Sequence, residues 1–209
     1  MNTIDHDDMD ATTALRAATA PSSDELTNLH AHLASAADRA GLLDVAYTTV
    51  DSPVGTLLLA ATEDGLLRIS FGKQEGFDAV LETLARSVSP RILRAPERLD
   101  PTARELDEYF TGQRKQFDVP LDHRLSSGFR QRVQGYLRTI DYGQTQSYKQ
   151  VAETVGSPRA ARAVGTACAT NPLPIVVPCH RVLSSDGSLG GYAGGLETKR
   201  TLLRLEQEG

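Results

Sequence analysis

The sequence of 209 residues has no tryptophan, and aromatic residues make up only 5 % of it. It has two cysteines, Cys168 and Cys179, too few for a disulfide framework or a four-ligand zinc set. No apolar run approaches the roughly 20 residues needed to cross a bilayer, so no membrane partner is expected. The first 44 residues are poor in positive charge, with 2 Lys and Arg against 8 Asp and Glu, and begin with Asp5-His6-Asp7-Asp8. They lack the apolar core of a secretory signal. Two unpaired thiols and no signal fit the reducing cytoplasm. The glycine-rich run Gly190-Gly191-Tyr192-Ala193-Gly194-Gly195 lacks the lysine pattern of a phosphate-binding loop. Glycine there lets backbone approach a flat ligand.

What is present is an ordinary globular composition, 40 % hydrophobic and 23 % charged, with length for one or two domains. The net charge of −5 is uneven. Residues 1–120 carry 11 Lys and Arg against 20 Asp and Glu, and residues 121–209 carry 11 against 7. A positive second part beside an acidic first part suits a polyanion partner, although a merely solvated surface has the same composition.

Three segments follow from the pattern. Residues 1–44 form an acidic extension. Within it, Ser22-Ser23-Asp24 caps a helix with Leu26, Leu29, Leu33, Ala36 and Ala37 as its apolar side and Gly41 at its end. His30 and His32 are two apart, do not share a face, and read as surface residues. Residues 45–122 form a small α/β domain. Val45–Val50 is a strand, Asp51–Gly55 a turn, and Thr56–Thr62 and Leu66–Phe71 pair across Glu63-Asp64-Gly65. One helix follows on Phe77, Val80, Leu81 and Leu84. Another runs from Leu99 to Phe110 behind Asp100-Pro101, and Phe117–Leu121 reads as a short strand.

Residues 123–209 turn helical. Phe129, Val133, Tyr136, Leu137 and Ile140 recur at helical spacing. Ser147-Tyr148-Lys149-Gln150 has the form of a capping box, and Gly156 ends that helix. Ser157-Pro158 then reads as cap and first position of a helix over about 158–169. Two helices joined so tightly fit a helix-turn-helix, and equally a pair of core helices. On the second, Ala160, Val164, Ala167 and Cys168 share one side; Arg159, Arg162, Ala163, Thr166, Ala169 and Thr170 share the other. Apart from two arginines that outer side is small, which suits close, sequence-tolerant approach to a groove.

Ile175-Val176-Val177-Pro178-Cys179-His180-Arg181 sets a nucleophile, a base and a cation side by side. A thiol attacks as thiolate, and a nearby His or cation lowers its pKa. A buried Cys beside a His is also a common core filler. Pro178 and the approach Asn171-Pro172-Leu173-Pro174 make the backbone rigid, which favours a held site. A last helix spans about 196–207 with Leu196, Leu202, Leu203 and Leu205 as its arc. Glu206 points into that arc, so it is either solvated at a frayed end or partnered, with His180 as the partner at hand.

Pro178-Cys179-His180-Arg181 with its apolar flanks resembles the active-site signature of the O6-alkylguanine-DNA alkyltransferases, also called methylated-DNA–protein-cysteine methyltransferases. The resemblance covers residues 45 to 209. It implies an α+β protein: a ribonuclease H-like domain over 45–122, then a mainly helical, winged-helix-like domain with a helix-turn-helix over 123–209. It implies single-use transfer of the alkyl group of O6-alkylguanine to Cys179, with O4-alkylthymine as a second candidate substrate. Its partner is double-stranded DNA, and the family pattern gives a monomer without cofactor. By the same resemblance His180 acts as base through a water, Glu206 orients it, Asn171 braces the backbone, and Tyr148 assists flipping and the departing guanine. Arg162 is the finger that replaces the flipped base, with Arg159 beside it on the DNA side. Pro174, Val182, Tyr192, Ala193 and Gly194 match the pocket. Ala193 departs from a serine the family often has, leaving only a backbone N–H there. The zinc cysteines of some members are absent, so no metal is expected. Three rivals remain: an alkylated-DNA-binding relative, which would lack the cysteine; a winged-helix transcription regulator, which leaves Cys179, His180 and Glu206 unused; and a cysteine hydrolase, which needs an oxyanion hole.

Overall fold

The computed structural model describes residues 21–209. A helix α1, Ser23–Arg39, opens it. The Ser22 side chain accepts from Glu25 N–H while Glu25 reaches back to the Ser22 N–H, a complete capping box. The helix ends on Gly41 at φ +64°, with Gly41 N–H bonded to Asp38 O and Leu42 N–H to Ala37 O. The expected apolar side faces outward: Leu26, Leu29 and Leu33 are 43, 59 and 54 % exposed. Of that side only Ala37 packs on the body, beside Ala34, which is buried, with Arg98 paired to Asp38. Spacing identifies an apolar stripe but not which side meets the body.

Strands β1 (Val45–Val50), β2 (Leu57–Thr62) and β3 (Gly65–Phe71) and a short β4 (Ile92–Arg94) form one sheet in the order β3-β2-β1-β4. The first three pair antiparallel, and β4 lies parallel to β1. Every residue of β2 is buried because both faces of the sheet are covered, which is why its sequence is nearly continuous in apolar residues. Helices α2 (Gly72–Glu75) and α3 (Phe77–Ser87) follow β3. Val80 and Leu84 of α3 pack on Val45, Leu58, Ala60 and Leu67 on one face. On the other face Leu57, Leu59, Ile69 and Phe71 join Leu106 and Tyr109 of α4 (Asp100–Phe110), and that core runs on into the second domain. Burying each such side chain contributes about 1.5–3 kcal/mol.

The expected strand over 117–121 is not formed. Leu121 makes a single parallel bridge to Leu66, with Leu66 N–H bonded to Pro120 O and Asp122 N–H to Leu66 O. This caps β3, which is an edge strand. Farther along the same edge, Ile69 N–H donates to Pro172 O at 2.8 Å.

The second domain contains α5 (Gly128–Leu137), β5 (Gln146–Ser147), α6 (Tyr148–Thr154), α7 (Ala161–Ala169), β6 (Val182–Leu183) and α8 (Gly195–Glu208). Ser147 and Gln150 form the capping box of α6. Helix α7 starts three residues later than Ser157-Pro158 suggested, with Ala160 as its cap. The Ser157 N–H is already used to close α6, bonded to Ala152 O beside the Gly156 bond to Glu153 O. β5 and β6 pair parallel, joining the start of α6 to the cysteine segment. No helix among the described residues is long and apolar enough to cross a membrane.

Candidate active site

Cys179, His180 and Arg181 form one turn of 3-10 helix between Pro178 and β6, and all three are buried. Their approach is fixed by Asn171. Its Nδ2 donates to Val177 O at 2.8 Å and to Cys179 Sγ at 3.2 Å, while its Oδ1 accepts from Leu173 N–H at 3.0 Å. Within this approach Ile175 has φ +76°, the one non-glycine residue with positive φ among those described. A β-branched residue there holds about 1–3 kcal/mol of strain, and the surrounding bonds keep it in place.

Glu206 comes from the last turn of α8 and is 4 % exposed. Its Oε1 accepts from Tyr109 Oη at 2.7 Å, His180 Nε2 at 2.8 Å and Arg181 Nη2 at 2.8 Å. Its Oε2 accepts from Arg181 Nε at 2.8 Å and Gly143 N–H at 3.2 Å. Gly143 has no alternative: its φ is +73°, and a Cβ would lie 2.7 Å from the Glu206 carbonyl oxygen. Burial pushes the Glu206 carboxyl up, but His180 and Arg181 more than reverse this and hold it well below the usual range. An ionised carboxylate can only accept, so the His180 proton is on Nε2. Nδ1 is left as a buried lone pair with no partner among the described side chains and backbone.

Burial lowers the basicity of His180, and Arg181 and Lys199 lower it further, against the pull of Glu206. Burial also pushes the Cys179 thiol up to about 11, although the Asn171 bond and the charge of Lys199 pull the other way. The neighbouring His and cation therefore do not leave a resting thiolate, as the sequence suggested. With 2 % of Cys179 exposed, desolvation of the anion outweighs them. Cys168 is raised further still by burial. Lys199 is fully buried and its Nζ donates to Val182 O at 2.7 Å.

The structure brings Cys179, His180, Asn171 and Glu206 together. Tyr192 stands edge-on to His180, with ring centroids 6.3 Å apart, and to Phe71 at 5.7 Å. Pro174 and Val182 are buried beside them. Gly194 is pressed between Phe71 and Thr198, where a Cβ would lie 2.9 Å from each, and its carbonyl accepts from Gln74. Ala193 is partly buried on the same loop. Tyr148 is half-buried at the start of α6, packed over Gly190, and burial and the two thiols raise its phenol pKa. Arg159 and Arg162 are exposed with Ala163, Thr166, Ala169 and Thr170, outside the buried cluster.

Two family profiles match this chain. One is described as the 6-O-methylguanine DNA methyltransferase, ribonuclease-like domain, over residues 45–123. The other is described as its DNA binding domain, over residues 128–208. The chain belongs to the 6-O-methylguanine DNA methyltransferase family.

Its relatives bear this out along the length of the two domains. The methylated-DNA–protein-cysteine methyltransferase of Mycolicibacterium paratuberculosis is 42 % identical over 163 residues, 78 % of this chain and 93 % of the relative. The constitutive protein of that name from Bacillus subtilis is 38 % identical over 164 residues, 77 % and 94 %. The crystal structure of Mycobacterium tuberculosis OGT in complex with DNA aligns with a TM-score of 0.68 at 40 % identity, covering 78 % of this chain and 93 % of that one. Helix α1 lies outside both matched segments of the methyltransferase family.

Sequence reasoning missed three members of the buried cluster. Arg181 was read only as a cation near the thiol, yet it grips Glu206. Lys199 lies in the last helix outside its leucine arc, yet it is fully buried. Tyr109 gave no signal at all, because its partner is 97 residues away and no local pattern records such a pair.

Proposed function

We propose that this protein repairs double-stranded DNA by taking the alkyl group of O6-alkylguanine onto Cys179, once per molecule. The observation that carries the reading is the buried His180, tied through Nε2 to Glu206 and open at Nδ1, next to a buried thiol. Helix α7 approaches the groove with its small outer side, and Arg162 fills the space left by the flipped base, with Arg159 near the phosphates. The base enters between Tyr148, Pro174, Val182, Tyr192, Ala193 and Gly194.

The thiol must lose its proton, because burial holds it protonated. His180 Nδ1 takes that proton through a water, as the family resemblance implies. Sγ attacks the alkyl carbon, the carbon–O6 bond breaks, and its electron pair stays on the guanine. The Tyr148 phenol donates a hydrogen bond or proton to the departing base. Asn171 keeps Sγ in line. The product is a thioether with no carbonyl or phosphoryl centre for water to attack, so no second turnover follows. The reaction needs one chain, no metal and no cofactor, and two free thiols suit the cytoplasm.

Duplex DNA bearing O6-methylguanine tests this. Transfer should stop at one methyl group per protein, peptide mass mapping should find it on Cys179, and Cys179→Ala should bind DNA without repair. Repeated turnover, or methyl on Cys168, overturns the reading. A damage-binding protein, a regulator and a hydrolase all leave Cys179 unmethylated.

A further inference from the structure

The hydroxyl of Tyr109 donates to the same Glu206 oxygen that His180 Nε2 contacts. Tyr109 belongs to α4, in the ribonuclease-like segment, whereas every other donor to Glu206 comes from residues after 123. Its ring is fully buried, with Phe110, Phe117 and Tyr142 around it at centroid distances of 5.4, 5.3 and 6.1 Å. Burial and the Glu206 charge push its phenol pKa far up, so Tyr109 remains a donor. The transfer mechanism above makes no use of it.

A donor to a carboxylate oxygen withdraws charge from that oxygen. The less charge Oε1 carries, the less it favours a second proton on the imidazole, and the weaker a base Nδ1 becomes. We propose that Tyr109 is a positioning residue for alkyl transfer: its hydroxyl holds the Glu206 oxygen in place and sets how tightly His180 binds a proton. The first domain thereby tunes the base in the second. Other groups face His180 as well: Glu206 and Lys199 from α8, Cys179 and Arg181 from its own turn, and Tyr192 from the glycine-rich loop. Tyr142 lies near Glu206 and Arg181 behind it. None of these is removed by a change at Tyr109. The inference rests on the transfer reading.

The test is single-turnover methyl transfer from duplex O6-methylguanine against pH, using the full chain, Tyr109→Phe, and the chain with 3-fluorotyrosine at position 109. Loss of the hydroxyl should move the acidic limb up by about half to one pH unit, so that the rate on that limb falls roughly three- to tenfold. On the alkaline plateau His180 is neutral in both, so the position of each limb is read relative to that protein's own plateau. Fluorotyrosine keeps the ring and is a stronger donor, so its limb should move down. A purely structural role lowers the melting temperature or the plateau and leaves the limb where it was; that outcome, or coincident limbs in all three proteins, overturns the proposal. If Tyr109→Phe does not fold, the fluorotyrosine protein decides alone. If the parent itself takes no methyl onto Cys179, the transfer reading has failed. Titration of His180 followed by nitrogen NMR then tests Tyr109 separately, with the same directions expected.

Discussion

Arg181 grips both carboxylate oxygens of Glu206, Nε to Oε2 and Nη2 to Oε1, each at 2.8 Å. Its remaining Nη1 donates to Ile140 O at 2.5 Å. The cation of the Pro-Cys-His-Arg signature thus pairs with the carboxylate behind the histidine and neutralises it.

Removing Arg181 leaves a buried, uncompensated carboxylate. Arg181→Met should cost about 3–5 kcal/mol. Arg181→Lys keeps a charge but loses the fork, and should cost less. Urea titration with unchanged m-value measures both, and an Arg181→Met protein as stable as its parent contradicts the buried pairing.

Glu206 also predicts an acid limb of stability. Its carboxyl is held well below the usual range in the fold, against about 4.3 in the unfolded chain. As pH falls below the unfolded value, the unfolded chain binds this proton first, so its contribution is full above about pH 4.3 and is lost toward lower pH. Melting of the parent and Glu206→Gln should therefore differ most near neutrality and converge in acid. A constant difference across that range rejects the assignment.

Arg162 is exposed on α7, outside the buried cluster. Arg162→Ala should slow repair in duplex DNA by about tenfold or more, while reaction with free O6-benzylguanine, which needs no flipping, changes little. Equal losses on the two substrates remove the finger role.

A chain beginning at Leu43 should transfer methyl groups within about tenfold of the full protein, roughly 1.4 kcal/mol of barrier. Truncation removes the Ala34 contact and leaves Arg98 without Asp38. The partly exposed ion pair contributes at most about 1 kcal/mol, so only a small drop in melting temperature is expected from it.

Much of this architecture is written in local signals. The capping boxes at Ser22 and Ser147, the hairpin at Glu63-Asp64-Gly65 and the apolar spacing of α5 each act within a few residues, so they can be read without the fold; in α8 the expected arc holds at Leu202, whereas Leu196 is 43 % exposed. The direction of Glu206 inside a leucine arc is of the same kind. Other features depend on who meets whom. Strand β4 has three residues, too few to alternate, and exists because β1 offers it an edge. Ser157-Pro158 has the form of a helix start, but residues 157–160 close a separate turn, with Ala160 N–H bonded to Ser157 O, and the helix begins only at Ala161. The height of the Cys179 pKa depends on burial, and burial is a property of the assembled protein.

The edge of the sheet has a practical consequence. A free edge strand is a template for pairing with other chains. Here β3 is closed by its own molecule, at Leu66 by Pro120 and at Ile69 by Pro172. Pro172 belongs to the same short approach that aims Cys179. Damage to Asn171–Pro174 would thus do more than misplace a thiol: it would uncover a sticky strand. Substitutions there should turn up in the insoluble fraction of cells instead of as soluble, inactive protein, so solubility in a colony screen would report on the geometry of the thiol's approach before any alkylated DNA is added.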